Sequence, residues 1–186
     1  YGSPVVAVRP GAVDLEGGGT LAAGTVVVAA DPVRAAGLIG EPAPRMHAVT
    51  TVWHAVDEPP VRRPILVLDT EHGPVTNSVV MSNAAPEYGS GGRALVASSS
   101  LGPDPLPDHL LRSTLTRLWG ADTSGWDEVA VTRVPEALPD FPAGSPLRRP
   151  ERLADGLVVA GDWRATPSSQ GALASGRRAA DAVLAG

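Results

Sequence analysis

The last part of the chain carries the pattern that most restricts its fold. Residues 157–160 (Leu-Val-Val-Ala) have the composition of a strand, and a Gly-Asp pair at 161–162 ends it. A loop at 163–167 follows, and one of the two serines at 168–169 is suited to cap a helix over about 170–184. A strand that passes through a short loop into a capped helix predicts an α/β unit in which the helix packs on a sheet.

The start of this helix is suited to bind partial negative charge, because its free N–H groups and the positive end of its dipole point at the loop. Asp162 stands where a carboxylate can accept a hydrogen bond from a ribityl or ribose hydroxyl. Gly171 and Gly176 lie inside the helix, where glycine costs about 1 kcal/mol relative to alanine. We therefore expect a backbone or a ligand to approach them closely. The alternative is a turn aspartate and a helix that only packs on its sheet.

The rest of the chain predicts further strands and two helices. Residues 25–29 form a β-branched run typical of a strand buried on both faces, and Asp31-Pro32 and Gly40 delimit a short helix after it. Leucines at helical spacing predict a helix from Leu106 to Trp119. Apolar runs separated by Gly- and Pro-rich turns predict antiparallel strands at 49–56, 65–68, 75–81, 93–99 and 129–134. The expected fold is mixed α/β, with an antiparallel sheet and a helix beside the α/β unit.

Composition removes several kinds of chemistry. The 186 residues contain no Cys, which excludes disulfides and thiolate sites within them. All 15 basic residues are Arg, which excludes a lysine Schiff base and a P-loop lysine. The net charge of −5, without a cluster of cations, argues against nucleic acid as a partner. We expect no metal site, because the four histidines lack metal-ligand spacing; they are His47, His54, His72 and His109.

The sequence also bears on location and completeness. No apolar run approaches the roughly 20 residues that cross a bilayer, and no signal peptide is evident. We therefore expect a cytoplasmic protein without a transmembrane segment. The chain opens at Tyr1 without a methionine, so we also expect a truncated or split chain.

Two segments of the last part together resemble a known C-terminal signature. Residues 157–163 give Leu-Val-Val-Ala-Gly-Asp-Trp, and residues 169–180 give Ser-Gln-Gly-Ala-Leu-Ala-Ser-Gly-Arg-Arg-Ala-Ala. This run is similar to the end of the FAD-binding domain in the superfamily of flavin-containing amine oxidases and phytoene desaturases. Residues 26–32 resemble the strand by which such chains re-enter that domain, and residues 77–86 and 137–139 resemble parts of its substrate-binding half.

The resemblance implies a cofactor, FAD, and a division of the chain. Residues 1–40 and 150–186 would form the C-terminal part of a Rossmann-like FAD-binding domain, and residues 41–149 would form the substrate-binding domain. The N-terminal half of the FAD-binding domain would be absent from this chain and act as its partner. In the joined enzyme, hydride would pass from a C–H bond of an apolar small-molecule substrate to flavin N5.

The resemblance also implies roles for individual residues at the cofactor. Gly161 would allow close backbone approach, and Asp162 would meet the ribityl or pyrophosphate region. Trp163 and Arg164 would lie near the cofactor, with simple packing as the alternative for Trp163. The amides that would address the flavin ring are those of Gln170, Gly171 and Ala172.

On the substrate side, the implied contacts come from the strand at 49–56. Neighbouring residues of a strand point to opposite faces. Either Trp53 or the pair Val52 and His54 would therefore line the substrate pocket, by whichever side faces the flavin ring. No residue is assigned to catalysis.

Two features depart from the family pattern. No Gly-x-Gly-x-x-Gly follows a strand, and the glycines at 17–19 precede one and are typical of a hairpin tip. We therefore expect the chain alone to bind FAD weakly or not at all. The amine-oxidase branch places a lysine, through water, at flavin N5, and its absence here favours the desaturase-like branch. Two alternatives stay open: a non-catalytic module that binds an apolar ligand or a partner, and one half of a split flavoenzyme.

Overall fold

The chain folds into two units, one formed by both ends of the sequence and the other by its middle. The computed structural model describes residues 2–71 and 73–185, so Tyr1, His72 and Gly186 lie outside the described residues. Tyr1–Met46 and Leu138–Gly186 together make one unit, here called the terminal unit. The other, here called the middle unit, is His47–Ala137.

Strands outnumber helices in the described part of the chain. The strands are β1 (Val5–Arg9), β2 (Ala12–Leu15), β3 (Thr20–Ala22), β4 (Val26–Val28), β5 (Met46–Val56), β6 (Leu66–Leu68), β7 (Asn77–Val80), β8 (Ala94–Leu101), β9 (Asp127–Pro139), β10 (Arg152–Ala154) and β11 (Leu157–Val159). The helices are α1 (Pro32–Ile39), α2 (Met81–Ala84), α3 (Asp108–Trp119) and α4 (Ser169–Leu184). Single 3₁₀ turns lie at Pro86–Tyr88 and Asp162–Arg164.

The terminal unit is built around a three-stranded sheet with β11 at its centre. β4 runs parallel to β11 on one side, and β10 runs antiparallel to it on the other. One face packs Val26, Val28 and Val159 against α1, and the other face packs Val158 and Ala160 against α4. A second sheet, β1-β2-β3, is antiparallel and has no counterpart among the predicted strands. Its β2–β3 connection contains the predicted glycine tip, where Gly18 and Gly19 have positive φ.

One expectation for β4 is wrong. Val27 was expected to be buried, but it is 47% exposed. It pairs with Val158 and so shares the face on which α4 packs, yet the buried contacts of α4 lie over β11. β4 is the edge of its sheet in the described chain, and its outer face is therefore left uncovered there.

The middle unit is a five-stranded sheet in the order β6-β7-β8-β5-β9 with α3 packed on it. β6, β7, β8 and β5 pair antiparallel in that order, and β5 pairs with β8 from Val49↔Leu101 to Val56↔Ala94. Val52, Val56 and Val96 pack against Leu111 and Leu115 of α3. The expected antiparallel sheet with one covering helix is confirmed. β9 is longer than the strand predicted at 129–134.

Local signals in the sequence set the helix limits. The Asp31 carboxylate accepts a hydrogen bond from the Arg34 amide at 3.0 Å, and Pro32 takes the first helical position of α1. Gly40 and Gly120 end α1 and α3 in the left-handed conformation that glycine adopts without strain. These limits agree with the prediction because capping depends on neighbouring residues alone.

Candidate functional site

The first residue of the loop between β11 and α4 is hydrogen-bonded to a side chain of the helix. The Gly161 amide donates to the Ser175 hydroxyl at 3.2 Å, and Ser175 is fully buried on α4. Asp162, half-buried, then opens a single 3₁₀ turn, and its Oδ1 accepts from the Trp163 amide at 2.8 Å. The turn therefore holds the Asp162 carboxylate at the carboxyl end of β11. Ser175 was not predicted as a site residue; its signal in the sequence is a hydroxyl among alanines on the buried face of the helix.

Ser168 caps α4 and uses two of the amides that had been expected to face a cofactor. Its hydroxyl accepts from the Gly171 amide at 3.0 Å, and its carbonyl accepts from the Ala172 amide at 2.9 Å. The amides of Ser169 and Gln170 have no hydrogen-bond partner among the described residues. Of the three predicted amides, Gln170 is thus the one free to meet an acceptor, and the expectation for Gly171 and Ala172 is corrected.

The two predicted glycines of the site are packed against the loop itself. A Cβ on Gly171 would lie well under 3.0 Å from the Thr166 carbonyl oxygen. A Cβ on Gly161 would lie 2.6 Å from atoms of the Trp163 indole. The close approach predicted at Gly171 is therefore made by the backbone of the loop and not by a ligand.

Trp163 turns into the core of the terminal unit. It packs in the cluster formed by Val28, Ala35 and Val159, and 6% of its surface is exposed. Its indole Nε1 is buried without a hydrogen-bond partner in the described chain. The packing alternative for Trp163 is what the structure shows, and a direct cofactor contact would require the loop to open.

No contact within the described chain explains why residue 176 is a glycine. A Cβ at this position would meet nothing within 4 Å. Ala172, Leu173 and Ala180 lie around it on α4, and all three are exposed. The packing that explains Gly171 therefore does not explain Gly176, and the helix keeps an uncovered face of small and apolar residues.

The structure separates the two predicted substrate residues of β5. His54 lies with Val52 and Val56 on the face covered by α3 and is fully buried. Trp53 lies on the other face, half-buried, and its indole Nε1 donates to Thr132 Oγ1 of β9 at 3.0 Å. Because successive side chains of a strand point to opposite faces, His54 does not line a pocket on the Trp53 face.

A cross-strand row of side chains gives the Trp53 face its apolar character. Trp53 pairs with Ala97, Ala97 with Val79, and Val79 with Leu66. Directly opposed residues in antiparallel strands share a face. Leu66 is exposed, and Leu68 and Leu101 on the same face are exposed as well. This row is an apolar surface of the kind that binds an apolar molecule.

His54 is a buried base without hydrogen bonds. Neither ring nitrogen has a partner in the described chain, and the ring lies 5.8 Å from that of Trp126. Burial and the nearby Arg112 lower the pKa of His54 from its ordinary value of 6.5, while Asp108 opposes the shift. His54 is therefore a neutral core residue, as most lone histidines on an apolar face are.

Solved structures with a similar fold indicate the class of the protein. An oxidoreductase from Methanosarcina mazei has a TM-score of 0.67 at 12% identity, over 95% of this chain and 47% of that one. A putative protoporphyrinogen oxidase from Exiguobacterium sp. 255-15 gives 0.64 at 14% identity, over 97% and 46%. A triple mutant of putrescine oxidase gives 0.63 at 14% identity, over 99% and 49%. The fold is that of oxidoreductases of this kind, and the chain spans about half their length.

The sequence itself then identifies the family. The profile of the family "flavin containing amine oxidoreductase" matches residues 1–184. The chain belongs to this flavin-containing family, and the resemblance of its last part to the family signature is confirmed. No curated protein matches the chain in sequence. No helix among residues 2–71 and 73–185 is both long and apolar enough to cross a membrane.

An acid-sensitive stability is expected from His54. Because its pKa is lowered in the folded chain, the unfolded chain takes up this proton first as the pH falls. The free energy of unfolding should be at its full value above pH 6.5 and decline below it. His54→Leu should remove this part of the decline and add about 1 kcal/mol at pH 8, because two unpartnered nitrogens leave the core.

Urea unfolding at pH 8.0 and pH 5.5 measures this effect. His109→Gln is the matched control, since His109 is exposed near the start of α3. An equal pH response in the native chain and His54→Leu would show that His54 does not titrate with folding.

Proposed function

We propose that this chain supplies the flavin-facing loop and the substrate-facing sheet of an FAD-dependent oxidoreductase. When bound, FAD would supply two-electron redox chemistry: a C–H bond of an apolar substrate would give its hydride to N5, and the substrate would lose a proton to solvent as a new double bond forms. The observation that carries the proposal is the group of donors and acceptors at the end of β11. There the Asp162 carboxylate follows β11, and the loop that it opens leads to the start of a capped helix with free amides at Ser169 and Gln170.

The chemistry of these groups suits the two ends of a flavin. A carboxylate accepts hydrogen bonds from ribityl or ribose hydroxyls, and unpaired helix amides donate to an electron-rich oxygen. The electron density of the flavin pyrimidine increases on reduction, so the dipole of α4 would favour the reduced state. Gly161 and Gly171 contribute by keeping the loop and the helix start in close contact.

The substrate side of the proposal rests on the Trp53 face. The row from Leu66 to Trp53 is apolar. The next row on the same face carries hydroxyls and an amide rather than charges at three positions: Thr51, Asn77 and Ser99. Such a surface would orient an apolar substrate by shape. This chain has no lysine that could hold a water at N5, which supports a desaturase-like rather than an amine-oxidase-like reaction.

The proposal assigns the two units different tasks and requires a partner. The terminal unit would complete an FAD-binding domain, and the middle unit would bind substrate. A dinucleotide-binding half with Gly-x-Gly-x-x-Gly would supply the pyrophosphate site. The exposed Val27 and the uncovered face of α4 at Leu173 and Gly176 offer apolar surface to such a half.

The test is the visible spectrum of bound flavin. The chain is mixed with FAD alone, and then with FAD and an N-terminal half carrying the glycine motif. We expect bound, yellow flavin with the partner half. Asp162→Ala should weaken FAD binding by roughly ten- to a hundredfold, since charge-assisted hydrogen bonds contribute about 1.5–3 kcal/mol. Asp155→Ala is the control, because Asp155 is exposed in a turn of the same unit.

The competing function is a binding module without catalysis, and the apolar Trp53 face is the observation that favours it. Such a module needs the sheet of the middle unit and no flavin. If no combination of chain and partner half retains flavin, while an apolar dye still binds the chain and Trp53→Ala abolishes that binding, the module is the better account.

A further inference from the structure

Arg164 lies two residues after Asp162, but its side chain turns away from solvent and is 4% exposed. Its Nη1 donates to Glu41 Oε2 at 2.7 Å, and its Nη2 donates to the Pro150 carbonyl oxygen at 2.7 Å. The guanidinium carbon also lies 5.0 Å from the centroid of the Trp163 ring, within cation–π distance. These contacts direct the Arg164 side chain into the terminal unit, whereas the family resemblance implied a position near the cofactor.

The partners of Arg164 belong to two segments that are far apart in the sequence. Glu41 follows α1 directly, in the connector that leads to β5, and Pro150 lies in the segment that leads to β10. The backbone adds a third contact, because the Arg149 amide donates to the Arg164 carbonyl at 2.9 Å. One side chain and its own carbonyl thus tie the loop to both segments.

The remaining bonds of the loop are local or lie at its ends. Gly161 is held by Ser175 at the start, and Thr166 is packed on Gly171 at the end. Between them, the Arg164 and Ala165 amides bond to carbonyls three residues earlier, within the same turn. These bonds fix the shape of the turn but not its place on the terminal unit. The buried Trp163 ring fixes its place by apolar packing, and Arg164 fixes it by directed polar contacts.

We propose that Arg164 is a positioning residue of the flavin site. It holds the turn that carries Asp162, so that the carboxylate and the start of α4 keep the geometry that receives the cofactor. Arginine is required because its planar fork reaches a carboxylate and a carbonyl at once, whereas lysine presents one point charge. This inference rests on the proposed function, but its first test does not depend on flavin.

The first test is hydrogen exchange of the loop amides in the protein itself, followed by mass spectrometry. Arg164→Met should accelerate exchange across 162–165 by about tenfold or more, and Arg164→Lys should give an intermediate value. Glu41→Gln keeps the arginine and a hydrogen-bond acceptor, so it should fold even if Arg164→Met does not, and should accelerate exchange less. Arg148→Met is the control, because Arg148 is exposed and its side chain makes no ion pair in the described chain. Unchanged exchange in Arg164→Met and Glu41→Gln would overturn the proposal.

The second test uses the protein combined with its dinucleotide-binding half and FAD. Arg164→Met should weaken FAD binding by about tenfold and shift the visible spectrum of the bound flavin, and Arg164→Lys should restore part of both. If Asp162→Ala releases flavin but Arg164→Met and Glu41→Gln change neither affinity nor spectrum, the positioning role is wrong and the proposed function stands. If the native pair binds no flavin, the proposed function fails, and the exchange experiment alone decides whether Arg164 fixes the loop.

Discussion

Replacing Gly171 by alanine is expected to lower the free energy of unfolding by about 3 kcal/mol, near the upper end of the range for overpacked sites. The added Cβ would overlap the Thr166 carbonyl oxygen, a backbone atom that cannot rotate away. Relief requires the loop to move off the helix start, which also breaks the cap that Ser168 provides. Urea unfolding followed by tryptophan fluorescence measures the loss, since Trp163 lies in the same loop.

Gly176→Ala in the same helix is the matched control and should have the opposite sign. Its Cβ would meet nothing within 4 Å, and alanine favours a helix interior over glycine by about 1 kcal/mol. Equal destabilisation by the two variants would mean that the helix start does not pack on Thr166 as described. A stabilised Gly176→Ala chain that no longer joins its dinucleotide-binding half would indicate that the uncovered face of α4 is the docking surface.

The parts of the fold that were predicted depend on neighbours in the sequence. Asp31-Pro32 and Gly40 define α1, and the spacing of leucines with Gly120 defines α3, because caps and periodicity act over a few residues. The mixed α/β class follows from the same local patterns. The β1-β2-β3 sheet was missed because its strands are short and none of their residues is fully buried, which leaves little apolar pattern.

The parts of the site that were not predicted depend on distant residues. Strand periodicity places Trp53 and His54 on opposite faces, but only the packing of α3 decides which face is covered. In the same way, the sequence indicates a close approach at Gly171 without distinguishing the Thr166 backbone from a ligand. Arg164 was expected near the cofactor because it closely follows the Gly-Asp pair. Its bond to Glu41 was not predicted, because Glu41 lies 123 residues away along the chain and no local signal connects them.

Glu151→Gln is expected to lower the free energy of unfolding by about 3 kcal/mol, the lower end of the range for a broken buried ion pair. Glu151 is 5% exposed and accepts from Arg178 Nε of α4, while Arg178 is 21% exposed. Loss of the carboxylate charge leaves the guanidinium poorly compensated, and its Nη2 already has no partner in the described chain. Glu16→Gln, at an exposed position of the same unit, should change the free energy of unfolding by less than about 0.5 kcal/mol.

The double variant Glu151→Gln/Arg178→Met separates the cost of an unpaired charge from the value of the pair. Removing both charges should recover most of the loss, because a buried pair and an apolar replacement often have similar stability. Residues as small as Ala160 and Ala179 make much of the packing between α4 and β11, so apolar burial alone holds the helix weakly. If the double variant stays as unstable as Glu151→Gln, the ion pair itself holds α4 on the sheet. The start of the helix, with its free amides, would then depend on an ion pair more than two helical turns from the proposed cofactor site.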